Sequence, residues 1–400
     1  MNRASRHAVL AGFLGWTLDA FDFFVVVFLL DTLAAEFHVP KGDIVNTLTA
    51  TLLFRPVGAL IFGYLADRYG RRIPLMANVV YFSIIELLSG FSHTFVQFLV
   101  LRALFGIGMG GEWGVGASLA METSPKKWRG ILSGVLQSGY SIGYLLAAVA
   151  TRVVLPTLGW RWMFWLGALP ALLALYIRTK VPESEAWRER RAANFREMLA
   201  SVRGHAKMFA YLVVLMTFMM FLSHGTQDLY PDFLKERHVS AMLVPWIAIL
   251  YNIGAVVGAI IFGHFSQKFG RRYSMIAALI VSLASIPFWA FGSSVMVLAI
   301  AAFVMQAGVQ GAWGIIPVHL NELAPDTMRG LMPGLAYQSG ILIAAPTNTI
   351  EHALRDKVGY SWALAGFEIV VMVVLVVVLL VGREEHGKSF YSGDLVIEKE

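Results

Sequence analysis

The chain has no cysteine and few charged residues. Only 14% of its 400 residues are Asp, Glu, Lys or Arg, and 57% are hydrophobic. The absence of cysteine excludes disulfides and thiolate-bound metal centres. Soluble domains typically contain about 25% charged residues, so the composition indicates an integral membrane protein. Nucleophile elbows, metal-ligand clusters and nucleotide-binding loops are also absent from the sequence, which argues against an enzyme.

The sequence contains many long apolar stretches. Each is about the ~20 residues that a helix needs to cross a bilayer. Twelve are found, near residues 8–30, 46–66, 73–91, 95–120, 131–151, 160–178, 208–230, 245–265, 273–291, 295–319, 331–350 and 360–382. The first is long and contains Asp19 and Asp22, so we interpret it as an uncleaved helix rather than a signal peptide. The predicted fold is an all-α membrane protein with twelve transmembrane helices in two six-helix bundles.

The basic residues predict the orientation of these helices. With both termini on one side, 23 Lys and Arg residues fall on that face and 7 on the other. The positive-inside rule then places both termini in the cytoplasm. The net charge of +6 is explained by topology and requires no nucleic-acid partner.

One long polar segment interrupts the chain and sets its domain boundaries. It separates an N-terminal bundle (1–178) from a C-terminal bundle (208–383), and residues 179–207 form a cytoplasmic linker that we expect to contain a surface helix. Residues 384–400 form a polar cytoplasmic tail, for which we expect disorder.

The two halves repeat each other at an offset of 200 residues. IFGYLADRYGRR, at 61–72, returns as IFGHFSQKFGRR at 261–272. A second block repeats in the same register: Gly111, Trp113, Gly114, Glu122, Pro125, Arg129 and Gly130 match Gly311, Trp313, Gly314, Glu322, Pro325, Arg329 and Gly330. Two like-oriented halves in a bilayer predict a rocking transporter with its site between them.

The repeated loop resembles that of a known family. GYLADRYGRR is similar to the loop signature of the major facilitator superfamily, and RALFGIG from Arg102 resembles its fourth-helix motif. In that loop, Asp67 and Arg71 can form charged contacts that lock one face closed and must break when the halves rock. We therefore predict gating roles for Asp67 and Arg71, and for Glu122 and Arg129 of the second repeated block. Gln267 replaces the aspartate in the second copy, which predicts an asymmetric latch.

Further resemblances narrow the family. WTLDAFDFF from Trp16 and GGEWGVGASLAMETSPKKWRG from Gly110 resemble the sialate:proton symporter family. SHGTQDLYP from Ser223 resembles the seventh-helix signature of its lactate and pyruvate permeases, although Met220 and Asp232 depart from that pattern. The resemblance implies substrate-binding roles for His224, Gln227 and the eleventh-helix Gln338.

Charged residues without a charged counterpart in the other half form a separate set of candidate functional residues. Arg55, Arg102 and Glu112 align with alanines in the second copy. A charge inside a membrane span costs several kcal/mol unless it is paired or faces water, so a functional role is the default interpretation. Glu86 and Glu368 lie in helices expected at the periphery, and structural pairing is the expectation for both.

These residue types suit carboxylate binding with proton coupling. The planar guanidinium of Arg matches a carboxylate, so Arg55 is the first candidate to bind the substrate and Arg102 the second. Asp19 or Asp22 is expected within reach of Arg55, in a pair that an entering anion could disrupt. The proton-coupling candidates are Asp19, Asp22, Glu112, His224 and Asp228, the last two being i,i+4 on one helix face.

The resulting functional prediction is a proton-coupled symporter of small monocarboxylates, best represented by lactate and pyruvate. We expect a monomer in the inner (plasma) membrane whose partners are the substrate, the proton and the lipid bilayer, with no cofactor or metal. Symport of sialate or aromatic acids remains an alternative, as does a metabolite receptor without transport, although no signalling tail is visible. A drug:proton antiporter is disfavoured because the fifth span, from Gly134, lacks that group's Gly-Pro-rich motif.

Overall fold

A computed structural model describes residues 3–190 and 195–391, and the described chain is almost entirely helical. The N-terminal half contains α1 Arg3–Phe28, α2 Leu30–Phe37, α3 Lys41–Tyr69, α4 Arg72–Gly90, α5 Phe95–Thr123, α6 Arg129–Val153, α7 Leu155–Leu158, α8 Trp160–Leu166 and α9 Pro170–Lys180. The linker contains α10 Glu185–Glu189 and α11 Phe195–Gly204. The C-terminal half contains α12 Ala206–Gln227, α13 Tyr230–Glu236, α14 Val244–Phe269, α15 Arg271–Phe291, α16 Val295–Trp313, α17 Ile316–Leu323, α18 Met332–Ala344, α19 Thr347–Val358 and α20 Tyr360–Val381.

Eleven helical segments in the described residues are long and apolar enough to cross a membrane. The eleventh predicted span is divided into α18 and α19 at Ala345 and Pro346. Proline has no backbone N–H and its ring clashes with the carbonyl oxygen of the residue four positions earlier, which accounts for the break. The two pieces together supply the twelfth crossing, and the predicted twelve-helix fold is confirmed.

The internal repeat extends to unusual backbone conformations. Positive φ angles occur in pairs 200 residues apart, at His38 and His238, Gly70 and Gly270, and Gly159 and Gly359. Gly70 (φ 105°) and Gly270 (φ 88°) end α3 and α14, in a conformation that glycine adopts without steric cost. The repeated glycines of the loop motif therefore make the same turn in both halves.

The two halves contact each other closely at the cytoplasmic ends of their helices. A Cβ on Gly134 of α6 would overlap the carbonyl oxygen of Ala259 on α14, and one on Gly130 would overlap that of Gly263. Small residues four apart allow helix backbones to approach in this way. Since α6 begins at the basic cytoplasmic loop, the cytoplasmic side of this conformation is closed.

The start of the tail is packed against this closed face. Phe390 is fully buried, so the expectation of disorder after Gly382 is wrong for residues 383–391. The reason is that its ring lies between Arg129 and Arg329, which the sequence alone did not indicate. The rest of the tail, residues 392–400, lies outside the described residues, as do linker residues 191–194.

Candidate functional site

Arg55 lies near the middle of α3 and is only 4% exposed. Its backbone touches α5, where a Cβ on Gly110 would overlap the Arg55 carbonyl oxygen, and Gly106 makes the same approach to Thr51 one turn away. Glycines four apart on α5 thus fix the position of α3. The Nε and Nη2 atoms of Arg55 have no hydrogen-bond partner among the described residues. The guanidinium therefore presents two free donors inside the protein.

Aromatic rings from both halves surround this guanidinium. The Arg55 guanidinium lies 5.8 Å from the ring centroid of Tyr337 on α18. The Tyr337 ring contacts those of Trp113 at 4.4 Å, Trp313 at 5.6 Å and Trp16 at 6.2 Å between centroids. An Arg and a tyrosine from opposite halves thus meet within a wall of indole rings, which can shield an anion from water.

The predicted acidic neighbours of Arg55 are present but not paired with it. Asp19 lies close enough for its charge to interact with that of Arg55, yet neither Asp19 oxygen has a hydrogen-bond partner in residues 3–190 and 195–391. The expected direct pair is therefore not formed in this conformation. Glu112 is also fully buried with both oxygens unpartnered in the same residues, and it packs where a Cβ on Gly15 would overlap its Oε1.

Arg102 belongs to a different cluster. Its Nη1 donates to Oε1 of Glu86 at 2.8 Å, and its guanidinium lies 4.8–5.4 Å from the ring centroids of Phe98, Phe105 and Phe164. The expected structural pairing of Glu86 is therefore found. Asp22 interacts with the charges of Glu86 and Arg102, which places it with this outer cluster rather than with Arg55.

The polar residues of the seventh span lie at its outer end. His224 Nδ1 and Asp228 Oδ2 are 3.0 Å apart, with each side chain 36% exposed. Asn348 of α19 donates to the same Asp228 oxygen at 3.2 Å. Gln227 donates to Oε1 of Gln306 at 2.7 Å. This cluster is accessible in the present conformation, whereas the cytoplasmic side is closed.

Gln338 lies on α18 immediately after Tyr337. Its Nε2 is 3.4 Å from the Gly110 carbonyl oxygen on α5, and its Oε1 has no partner in the described part of the chain. Gln338 therefore joins the Arg55 region through a contact between the halves, and the charge of His224 interacts with that of Arg55.

Asp67 connects the two halves at the cytoplasmic end. One carboxylate oxygen accepts from the Gly330 N–H at 2.8 Å and the other from the Leu331 N–H at 2.9 Å. Arg71 donates to Asp67 Oδ1 and makes two further bonds to Glu122, at 2.9 and 3.2 Å. The carboxylate of one half is thus bound by backbone donors of the other.

The second copy of this loop makes a weaker version of the contact. Arg271 donates to Glu322 through two bonds of 2.9 Å, as Arg71 does to Glu122. Among the described residues, Gln267 accepts one cross-half bond, from the Gly130 N–H at 3.1 Å. The latch is asymmetric because a neutral amide in the second copy replaces a carboxylate that accepts two backbone bonds.

Arg129 and the tail close the same face. Arg129 donates to the carbonyl oxygens of Met121 and Lys388, and its guanidinium lies 3.8 Å from the centroid of the Phe390 ring. Arg329 of the other half lies 4.2 Å from that centroid. Burial lowers the pKa of Arg329 to about 10, and burial beside Arg329 lowers the pKa of Lys388.

Sequence reasoning missed the aromatic wall. The repeat matched Trp113 with Trp313, and both rings contact Tyr337. Tyr337 itself aligns with Gln137, which accepts from the Trp113 Nε1 at 3.2 Å. The available signal was the tryptophan that recurs at the equivalent position of both halves, Trp113 and Trp313, whereas nothing in the sequence places residues 137 and 337 beside these rings.

Comparison with known proteins identifies a family and a solved structure to which the chain is similar. A family model described as sugar (and other) transporter matches residues 11–208 and 197–384. The chain is similar, with 19% identity and a TM-score of 0.78, to the solved proton:xylose symporter XylE of the major facilitator superfamily, covering 99% of both chains.

Curated relatives show which substrates similar proteins carry. The chain is 33% identical over 374 residues to a Saccharomyces cerevisiae carboxylic acid transporter protein homolog, covering 86% of this chain but only 61% of that protein. It is 28% identical to the Escherichia coli sialic acid transporter NanX, covering 98% and 96% of the two chains. It is 30% identical to a probable 4-methylmuconolactone transporter of Cupriavidus pinatubonensis, covering 93% and 89%.

Proposed function

We propose that this chain, which belongs to the sugar (and other) transporter family of the major facilitator superfamily, carries small monocarboxylates such as lactate and pyruvate together with protons. The family and the fold make it a multi-pass secondary transporter and not an enzyme. The observation that supports a carboxylate substrate is the buried guanidinium of Arg55, with its two unpartnered donors.

The energetics of Arg55 favour an anionic ligand. A buried donor left without an acceptor costs about 1–3 kcal/mol, and more when it is charged. A carboxylate can accept from two guanidinium N–H groups at once and neutralises the charge. Because Asp19 does not bind Arg55 directly in this conformation, the two donors remain available to a substrate.

Asp19 and Glu112 are suited to couple the proton. When a substrate anion binds Arg55, the guanidinium attracts Asp19 less strongly and the new negative charge repels it, so proton binding at Asp19 becomes more favourable. The charge of Glu112 interacts with that of Asp19, and this second carboxyl also favours a shared proton. Binding of an anion together with a proton leaves the net charge of the site unchanged before the halves move.

Alternating access then requires release of the cytoplasmic latch. Asp67 must give up the Gly330 and Leu331 N–H groups before that side can open. Opening on one side and closing on the other around a central site is the general behaviour of transporters built from two like halves. Asp67, Arg71, Glu122 and Arg129 thus serve as the gate in this proposal.

Sialate and aromatic acids are a second candidate, and the aromatic wall favours the aromatic acids. Trp16, Trp113, Trp313 and Tyr337 offer ring faces on which a planar substrate could stack. Relatives are described as transporters of sialic acid, 4-methylmuconolactone and niacin. Such a substrate would use the same Arg55 donors, so the two candidates differ in the body of the acid and not in how its carboxylate is bound.

Uptake by proteoliposomes distinguishes these candidates. Labelled lactate is supplied at an imposed inward proton gradient, with and without a protonophore, and with sialate and benzoate as competitors. Accumulation that collapses with the protonophore supports lactate symport. Transport of benzoate or sialate without lactate flux would replace the substrate and keep the site.

Arg55→Ala tests the binding step. Loss of two charge-assisted bonds, at about 1.5–3 kcal/mol each, predicts a fall in transport efficiency of about 100-fold or more. Arg152→Ala, which removes an exposed arginine at the end of α6, should leave uptake unchanged. Full uptake by Arg55→Ala would refute the binding model.

A further inference from the structure

Two buried carboxyl groups lie in the C-terminal bundle, away from Arg55. Glu351 is on α19 and Glu368 is on α20, and both side chains are fully buried. None of their four carboxyl oxygens has a hydrogen-bond partner among residues 3–190 and 195–391. Structural pairing was expected for Glu368, and that expectation is wrong.

Helix α19, which carries Glu351, packs on α20, which carries Glu368, and both helices pack on α12. The charge of Glu351 interacts with those of Glu368 and Asp228. Glu368 packs directly on α12, where a Cβ on Gly225 would overlap its Oε1. The line of carboxyl groups thus runs from the buried Glu368, through Glu351, to Asp228, which is partly exposed beside His224.

No described cation is placed to neutralise this pair. From α12, the nearest titratable group is His224, whose Nδ1 is directed to Asp228. From α15, which also packs on α20, the charges are Arg271 and Arg272 at the cytoplasmic end, and they bind Glu322 and backbone carbonyls there.

The remaining charged and polar residues near Glu351 and Glu368 bind other groups or are exposed. On α19, Arg355 binds Glu236 and stacks on Tyr360 at 4.6 Å. The Tyr360 hydroxyl donates to the Leu229 carbonyl oxygen at 3.0 Å. Other charged residues of α19 (His352, Asp356 and Lys357) are exposed. Among residues 3–190 and 195–391, the charged groups placed to act on the buried pair are therefore carboxyl groups.

An ionised carboxylate in such a place is unfavourable. A buried charge without a partner costs several kcal/mol, and a second negative charge beside it adds repulsion. A bound proton removes both penalties. A metal ion is a poorer fit, because the acidic and histidine side chains in the described ranges do not converge in groups of three or more that could hold one.

We propose that Glu351 and Glu368 form a proton-binding site in the C-terminal bundle, linked through Asp228 to the outer end of α12. Its use in transport rests on the function proposed above. A substrate anion near His224 adds negative charge beside Asp228 and Glu351, and this favours retention of the proton. The C-terminal half then contributes to coupling, which the N-terminal carboxyl groups alone would otherwise supply.

Infrared spectroscopy of the purified, substrate-free protein tests the site directly. At pH 7, the difference spectrum of the wild type minus Glu368→Gln should show the carbonyl stretch of a protonated carboxyl group, shifted on exchange into D2O. Glu351→Gln should show the same feature and provides an independent reading if Glu368→Gln does not fold. Asp356→Asn, at an exposed position on α19, should instead show only ionised carboxylate bands.

The proposal would be overturned if the difference spectra of both glutamine variants showed ionised carboxylate bands in place of the protonated band. It would also be overturned if the bands changed when sodium was added. The pH at which the infrared carbonyl band disappears tests the link to transport, because a substrate that favours retention of the proton must raise this pH. We expect lactate to raise it in the wild type and equally in Asp356→Asn. An unchanged pH in protein that transports lactate would overturn the link. Absence of any lactate transport by the wild type would refute the proposed substrate and leave the infrared result intact.

Discussion

Asp67→Asn should shift the transporter towards its cytoplasm-open conformation. The carboxylate accepts one backbone N–H from Gly330 and another from Leu331, both across the interface between the halves. In the amide, one oxygen is replaced by an NH2 group that faces an N–H donor. One charge-assisted bond is lost and the other becomes neutral.

The size of the effect follows from these two bonds. Bonds to charged groups contribute about 1.5–3 kcal/mol and neutral ones about 0.5–1.5 kcal/mol, so the closed state loses about 2–4 kcal/mol. Since 1.4 kcal/mol corresponds to a factor of ten, the open population should rise about 30- to 700-fold. Gln267→Ala, at the equivalent position, removes one cross-half neutral bond and should raise it only about 2- to 10-fold.

The absence of native cysteine makes the assay specific. Ser133 is fully buried between the halves and its Oγ accepts from the Val318 N–H at 3.1 Å, so Ser133→Cys places a thiol that is reached only on opening. The rate of alkylation by N-ethylmaleimide then reports the open population. An equal rate with and without Asp67→Asn, or a larger effect of Gln267→Ala, would refute the assignment of Asp67 as the main latch.

Three further predictions concern coupling, packing and the tail. Asp19→Asn should retain lactate exchange between equal pools and lose accumulation driven by a proton gradient, and accumulation at the wild-type level would exclude Asp19 as the coupling group. Gly258→Ala should lower stability by about 1–3 kcal/mol because its Cβ would overlap the backbone carbonyl oxygen of Ala307, while Gly366→Ala, with open space around it, should not lower the melting temperature. Phe390→Leu removes two cation–π contacts of about 0.5–2 kcal/mol each and should speed alkylation of the reporter thiol, whereas Phe390→Trp should keep it slow.

Much of the candidate gate could be predicted from the sequence. The repeat placed Asp67 and Gln267 at equivalent positions, and their different side chains predicted the asymmetry found across the interface. Local motifs are informative here because the residues of each loop lie within a few turns of each other. The tail contact at Phe390 could not be foreseen, since its partners are separated from it by 61 and 261 residues along the chain.

The pairing of buried charges was less predictable. Arg102 and Glu112 were both singled out as charges without a counterpart, but Arg102 binds Glu86 and Glu112 has no partner in the described residues. Structural pairing was expected for both Glu86 and Glu368, but Glu86 binds Arg102 and Glu368 has no partner in the described residues. The position of a residue along a span indicates how deep its charge lies in the membrane. It does not indicate which neighbour the charge faces.

By itself, the sequence determined the number of spans, their orientation, the duplication and the cytoplasmic loops. These properties depend on the length of apolar runs, on the distribution of Lys and Arg and on direct residue identity. Only the tertiary structure decided that Arg55 has free donors beside Tyr337, that Asp19 does not pair with it, and that Glu351 and Glu368 lie together. The physical reason is that lipid is as apolar as the protein interior, so hydrophobicity does not specify which face of a helix meets its neighbours. Helix rotation is fixed instead by close packing at glycines such as Gly106 and Gly110, and that packing brings together polar groups that are distant in sequence.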